Sequence, residues 1–117
     1  MQTMTGASSR RKGAAAEREF LTLLRDQLGD PMIQRNLEQT RSGGGDCAIS
    51  LGGTSLEIKR QERSNLPAWL AQARAQAGED IPALAYRANR QPWRVLVELT
   101  PEQYCYLIRE GSLEDLP

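Results

Sequence analysis

Asp46, Glu57 and Lys59 are the side chains most able to do chemistry together in this 117-residue sequence. Two runs of alternating residues flank Gly52-Gly53. Cys47, Ile49 and Leu51 alternate with Asp46, Ala48 and Ser50, and Leu56 and Ile58 alternate with Glu57 and Lys59. Such alternation predicts a β-hairpin, and a Gly-Gly pair readily takes the positive φ values of a two-residue turn. With Leu51 facing Thr54, Asp46 falls opposite Lys59 and Ala48 opposite Glu57. Asp46 and Glu57 then become diagonal neighbours, roughly 7 Å apart at the backbone. Two carboxylates and an ammonium thus share one polar patch, while Cys47, Ile49, Leu51, Leu56 and Ile58 turn to the other face. Taken alone, the set also suits a solvated cross-strand pairing on a half-exposed sheet.

Composition narrows the chemistry. The sequence contains no histidine, which excludes His-based general base catalysis, Ser-His-Asp hydrolysis, HNH-type nucleases and most zinc sites. What remains is carboxylate and lysine chemistry, or a metal held by oxygen. The formal net charge is zero, but its distribution is uneven. Residues 1–74 carry 11 Lys/Arg against 8 Asp/Glu, and residues 75–117 carry 4 against 7. A basic first part suits a polyanion, although an ordinary solvated surface accounts for it as well. Cys47 and Cys105 are expected to be free thiols in a reducing, cytoplasmic setting. There is neither an apolar signal core nor a run long enough to span a membrane. The length fits one domain, residues 1–117, with residues 1–9 expected to be disordered.

The elements that would position these residues can be read in order. A helix capped by Ser8 or Ser9 should run to about Leu28 and stop at Gly29 and Pro31. Its apolar stripe of Gly13, Phe20, Leu21, Leu24 and Leu28 includes Glu17, a carboxylate that is costly to bury unless paired or metal-bound. Arg18 and Glu19 should point outward. Arg10, Arg11 and Lys12 crowd the helix start, where free N–H groups and cations together suit a phosphate. Met32–Asn36 reads as a strand leading, through a loop carrying Arg41 and three glycines, into the hairpin. Pro67 opens a second helix that ends at Gly78, with Trp69 on its core face and Gln72 on another. Ile81–Arg87 and Trp93–Leu99 read as strands. Thr100, Pro101 and Gln103 form a capping box for a last helix ending at Gly111. Its Tyr104, Leu107 and Ile108 would pack on the sheet or on a second subunit.

Asp, about ten residues, then Glu-x-Lys across a hairpin resembles the PD-(D/E)xK nuclease superfamily. Gly45-Asp46 stands where that superfamily often has Pro-Asp. The segment Arg11-Lys12-Gly13-Ala14-Ala15-Ala16-Glu17-Arg18-Glu19-Phe20, followed by Leu23-Leu24, resembles the first helix of archaeal Holliday-junction resolvases. Ile81-Pro82-Ala83-Leu84-Ala85 and Trp93-Arg94 match that family in order as well. The resemblance covers residues 11–99 and is thinnest in the loop before Asp46 and in residues 60–80.

The resemblance implies a restriction-endonuclease-like α/β fold, a mixed five-stranded sheet flanked by helices in the order α-β-β-β-α-β-β-α. It implies a metal-dependent DNA endonuclease acting on branched DNA, with Glu17, Asp46, Glu57 and Lys59 as the catalytic set. Mg²⁺, which Mn²⁺ can replace, would be held by Asp46, Glu57, the backbone carbonyl of Ile58 and Glu17. Lys59 would orient water or offset transition-state charge. Phosphate contacts would come from Arg10, Arg11, Lys12, Arg18, Arg35, Arg41, Arg60 and Arg63. Symmetric cutting of a four-way junction would need two sites and hence a homodimer. A small nuclease of this kind suits a phage. The alternatives are a monomeric flap or nicking nuclease and a DNA-binding module without catalysis.

Overall fold

The computed structural model describes the backbone of residues 6–37 and 44–111, and the side chains of these from Gly13 onward. Three helices and a three-stranded sheet follow in the order α1 (Gly6–Leu28), β1 (Thr54–Arg60), α2 (Leu66–Ala77), β2 (Ile81–Arg87), β3 (Arg94–Val97) and α3 (Pro101–Glu110).

Local chemistry sets the helix ends. Gly29 takes φ 65° and its N–H donates to the Arg25 carbonyl at 2.8 Å, closing α1 in the left-handed conformation that glycine adopts without strain. The Asn65 side chain accepts from the Ala68 N–H at the start of α2, next to Pro67. The capping box at Thr100 is fully formed, with Gln103 Oε1 accepting from the Thr100 N–H. The start of α1 differs from expectation. The helix begins at Gly6, so residues 6–9 are helical, and only residues 1–5 of the tail expected to be disordered lie outside the described part.

β1 and β2 run parallel, with Glu57 beside Leu84 and Lys59 beside Tyr86. β3 returns antiparallel on the far edge, with Tyr86 beside Arg94. A parallel pair needs a long crossover, which α2 provides. The core lies between α1 and one sheet face, where Ala16, Phe20 and Leu21 meet Ile33, Cys47, Leu56, Ile58, Ala83 and Ala85. On the other face, Trp69, Ala73 and Ala77 of α2 are buried, and Trp69 lies 6.4 Å from Tyr86 between ring centroids. Leu28 and Gly13 of the expected stripe are exposed instead, and Ala16 takes a buried place on it.

The expected five strands are three among the described residues. Met32–Asn36 and Asp46–Leu51 contribute only isolated bridges, Arg35 with Cys47 and Leu51 with Thr54. The Gly52-Gly53 turn forms as expected, with φ 59° and 82°, and Leu51 and Thr54 exchange both backbone hydrogen bonds. Beyond it the ladder breaks. The Asp46 N–H donates to the Leu56 carbonyl at 2.7 Å, and the Ile58 N–H donates to Asp46 Oδ2 at 2.7 Å. A side-chain carboxylate therefore stands where a regular ladder would place a carbonyl. Asp46 flanks Glu57 rather than Lys59, and Ala48 is not opposite Glu57. The segment Asp46–Leu51 holds two more residues than Thr54–Glu57 opposite it, a bulge. Because the excess is even, the faces are preserved: Cys47, Ile49 and Leu51 still pack with Leu56 and Ile58.

Candidate active site

The site forms along the free edge of β1. Leu56 and Ile58 turn into the α1 core, so Glu57 and Lys59 share the opposite face of the strand. Glu57 is 1 % exposed and Asp46 6 %. Their carboxyls are hydrogen-bonded to each other, and the Glu57 carboxyl is pushed up to about 8 by burial first and by the Asp46 charge second, with Lys59 opposing. Glu57 Oε1 is buried with no hydrogen-bond partner, a costly state for a carboxyl oxygen.

Gly45 allows Asp46 to sit so close. A Cβ at Gly45 would lie 2.6 Å from the Leu56 carbonyl oxygen and 2.9 Å from its nitrogen. That gives a steric reason for glycine where the resembling nucleases often have proline. Asn36 fixes the same segment: its N–H donates to the Asp46 carbonyl at 2.9 Å and its Nδ2 to the Gly45 carbonyl at 2.9 Å.

Glu17 reaches the site from α1. It is half-buried, and its Oε2 accepts from Arg35 Nε at 2.8 Å. Burial raises its pKa, the Arg35 hydrogen bond opposes this, and the charges of Asp46 and Lys59 are both felt at the carboxyl. The structure thus brings Glu17, Asp46, Glu57 and Lys59 into one electrostatic neighbourhood. The Ile58 N–H bonds Asp46 on the outer edge of β1, and the Ile58 carbonyl points the same way, because N–H and C=O of one strand residue share a side.

The expected phosphate contacts divide. Arg18 and Arg63 are exposed. Arg35 is engaged with Glu17, and Arg60 pairs with Glu19 at 3.2 Å. Arg10, Arg11 and Lys12 lie in α1 with side chains outside the described residues, as Arg41 does altogether. Glu19 is exposed, as expected, but it has partners that local sequence does not show: it accepts from Trp93 Nε1 at 3.0 Å and pairs with Arg87 at 2.8 Å as well as with Arg60. Arg87 lies over the Trp93 ring at 5.5 Å, and Phe20 packs on that ring at 4.9 Å. This clasp joins α1 to β1, β2 and the turn before β3; its only sequence signal is the Trp-Arg dipeptide at Trp93. Trp69 is buried, as expected for a core residue, and Gln72 is exposed. Both cysteines are free.

Among the described residues no three His, Cys, Asp or Glu side chains converge to hold a metal by themselves. The unpartnered Glu57 oxygen, the adjoining Asp46 carboxyl and an edge carbonyl nevertheless form an all-oxygen donor set, which fits a hard divalent cation completed by water.

A mixed sheet between helices, with Asp46 and Glu57 at its edge and Lys two residues on, fits the PD-(D/E)xK nuclease superfamily. The chain belongs to the family described as "Phage putative PDDEXK endonuclease", whose model matches residues 8–112. Neither the curated proteins nor the solved structures contain a match to it. Nucleases of this superfamily are hydrolases of phosphodiester bonds and generally depend on a divalent metal. Among the described residues no helix is long and apolar enough to cross a membrane.

Proposed function

We propose that this nuclease is a Mg²⁺-dependent DNA endonuclease that cuts branched DNA, four-way junctions above all, as a homodimer. The observation carrying the catalytic part is the buried, hydrogen-bonded Asp46–Glu57 pair with Lys59 on the same strand face. In this reading Asp46, Glu57 and the Ile58 carbonyl hold the ion, with Glu17 reaching it directly or through water; Mn²⁺ can replace Mg²⁺. The bound ion supplies water activation, charge relief on the phosphate and support for the leaving oxygen. Lys59 orients the attacking water and offsets charge on the pentavalent phosphorus. Water's oxygen bonds to phosphorus, the P–O3′ bond breaks, and the 3′ oxygen takes up a proton. Arg35 holds Glu17 in place, and Arg18 and Arg63 are free of the core to meet phosphates. Arg10, Arg11, Lys12 and Arg41 extend this basic track in sequence.

The dimer rests on a second observation. Every residue of β3 is exposed, including Val95, Leu96 and Val97, and so are Tyr104, Leu107 and Ile108 of α3. Exposed apolar residues at an open sheet edge suit an interaction with a partner. A two-fold copy across it would give the two active sites that symmetric cutting requires.

Cleavage of a labelled immobile four-way junction beside matched duplex, flap and single strand tests this. Paired symmetric nicks, lost with EDTA and in Asp46→Asn, are expected. Preferential cutting of flap or single strand would move the substrate to DNA processing by a monomer. Tight binding without metal-dependent cutting of any substrate would contradict the catalytic role.

A further inference from the structure

A cleft of about 290 Å³ opens at the C-terminal ends of β1 and β2 and takes no part in the chemistry above. Trp69 and Tyr86 line it from the α2 face of the sheet, and Arg87 and Arg94 line it with the amides of Gln61 and Gln91. Its one acid, Glu62, is engaged by Asn89 Nδ2. Tyr86 is the register partner of Lys59, so the cleft begins one strand away from the proposed site. Arg87 Nε is buried with no hydrogen-bond partner, and Arg94 is exposed.

The lining selects a ligand class. Arg87 is taken up by Glu19 and Trp93 and Trp69 by the core, so the groups the cleft offers are the exposed Arg94 guanidinium and the half-buried Tyr86 ring. The guanidinium argues against an apolar ligand, which would desolvate it without compensation, and the ring argues against a small anion, which would leave it unused. Aromatic rings with neighbouring arginines are what single-stranded nucleic acid uses, its bases lying on the rings and its phosphates near the cations. The volume is that of a small-ligand pocket.

The geometry points to a subsite for one unpaired nucleotide, its base against Tyr86 and its phosphate at Arg94, one strand away from the proposed active site. This rests on the nuclease reading and deepens it. An intact duplex would have to unstack a base to fill the cleft, whereas a branch point offers one. The subsite therefore favours branched over plain duplex DNA without reading sequence.

Fluorescence anisotropy of a fluorescein-labelled hexathymidylate, in EDTA at low salt, tests the subsite without cleavage. Wild type should bind. Arg94→Glu, and Ala88→Leu, which fills the cleft without charge or ring, should each bind about 10-fold more weakly, the scale of one lost stack or phosphate contact. Arg109→Glu, the same charge change on distant α3, should bind like wild type. No binding by wild type, or equal binding by all four proteins, would overturn the subsite. Cleft-dependent binding in a protein that cuts no DNA would leave the subsite standing and remove the nuclease role. Cutting by wild type with equal binding by all four would do the reverse.

Discussion

The two ends of the sheet violate opposite rules. At the β1 edge, two carboxyls are buried at 1 % and 6 % exposure, and a carboxyl oxygen lacks a partner. At the β3 edge, a whole strand and the apolar residues of α3 stand in water. Burying ionisable groups costs stability, and so does exposing a broad apolar face. A chain under selection for stability alone would exchange the two compositions. The difference is what the proposed function requires, in which the β1 edge takes a divalent cation with phosphate and the β3 edge a second copy. The two should therefore respond to different perturbations.

The largest effect is expected at β1. Asp46→Asn or Glu57→Gln should lower the cleavage rate by at least ~10³-fold, the scale of losing a positioned charge in a closed site. Measured folding stability should not fall in parallel, since Glu57→Gln removes a buried ionisable group. Gly45→Ala should come next. Its Cβ would press on the Leu56 backbone, and moving Asp46 by a fraction of an ångström should cost about 10²-fold in rate. Wild-type activity in that variant would show that Asp46 need not sit where it does.

At β3, Leu107→Asp with Ile108→Asp should convert a dimer to a monomer in sedimentation. Single nicks on duplex should persist while paired cuts in a junction are lost. An unchanged sedimentation coefficient would remove the copy from that face and leave the β1 edge untouched.

The smallest effect is a pH slope. The Glu57 pKa is raised from its ordinary 4.5 to about 8. The folded state therefore binds more protons than the unfolded one between those values, so stability falls as pH rises through that window. Metal-free protein should lose thermal stability from about pH 4.5 to 8, and Glu57→Gln should flatten the slope. Added Mg²⁺ should raise the midpoint more at pH 8 than at pH 6, because ligands must shed protons to bind it. Equal slopes in both proteins would place the titration elsewhere.

How much of this was legible in the sequence depended on range. Gly29, the Gly52-Gly53 turn, Pro67 and Thr100–Gln103 act within a few residues, and the structure follows each of them. The failures involve distance. The bulge between Asp46 and Leu51 goes with the Asp46 carboxylate taking the place of a carbonyl opposite the Ile58 N–H of β1, which alternation does not encode. Glu19 is a surface residue as its spacing says, but its partners Arg60, Arg87 and Trp93 come from distant parts of the chain and leave no local signal. Leu28 lies on a helical stripe by spacing, yet at 64 % exposure it is past the last neighbour to pack on. Of the candidate site, the residue types and Glu17 were legible, and the faces survived a wrong register only because the excess was even.

The most direct test of the central claim is the cleavage rate of one labelled DNA, branched at its centre, with Mg²⁺ and with EDTA, by wild type and Glu57→Gln. Cleavage by wild type in Mg²⁺ alone, absent in EDTA and in the folded variant, is the predicted result. Equal cleavage by the variant, or cleavage that EDTA leaves intact, would contradict the assignment of the Asp46–Glu57 pair as a metal-dependent centre.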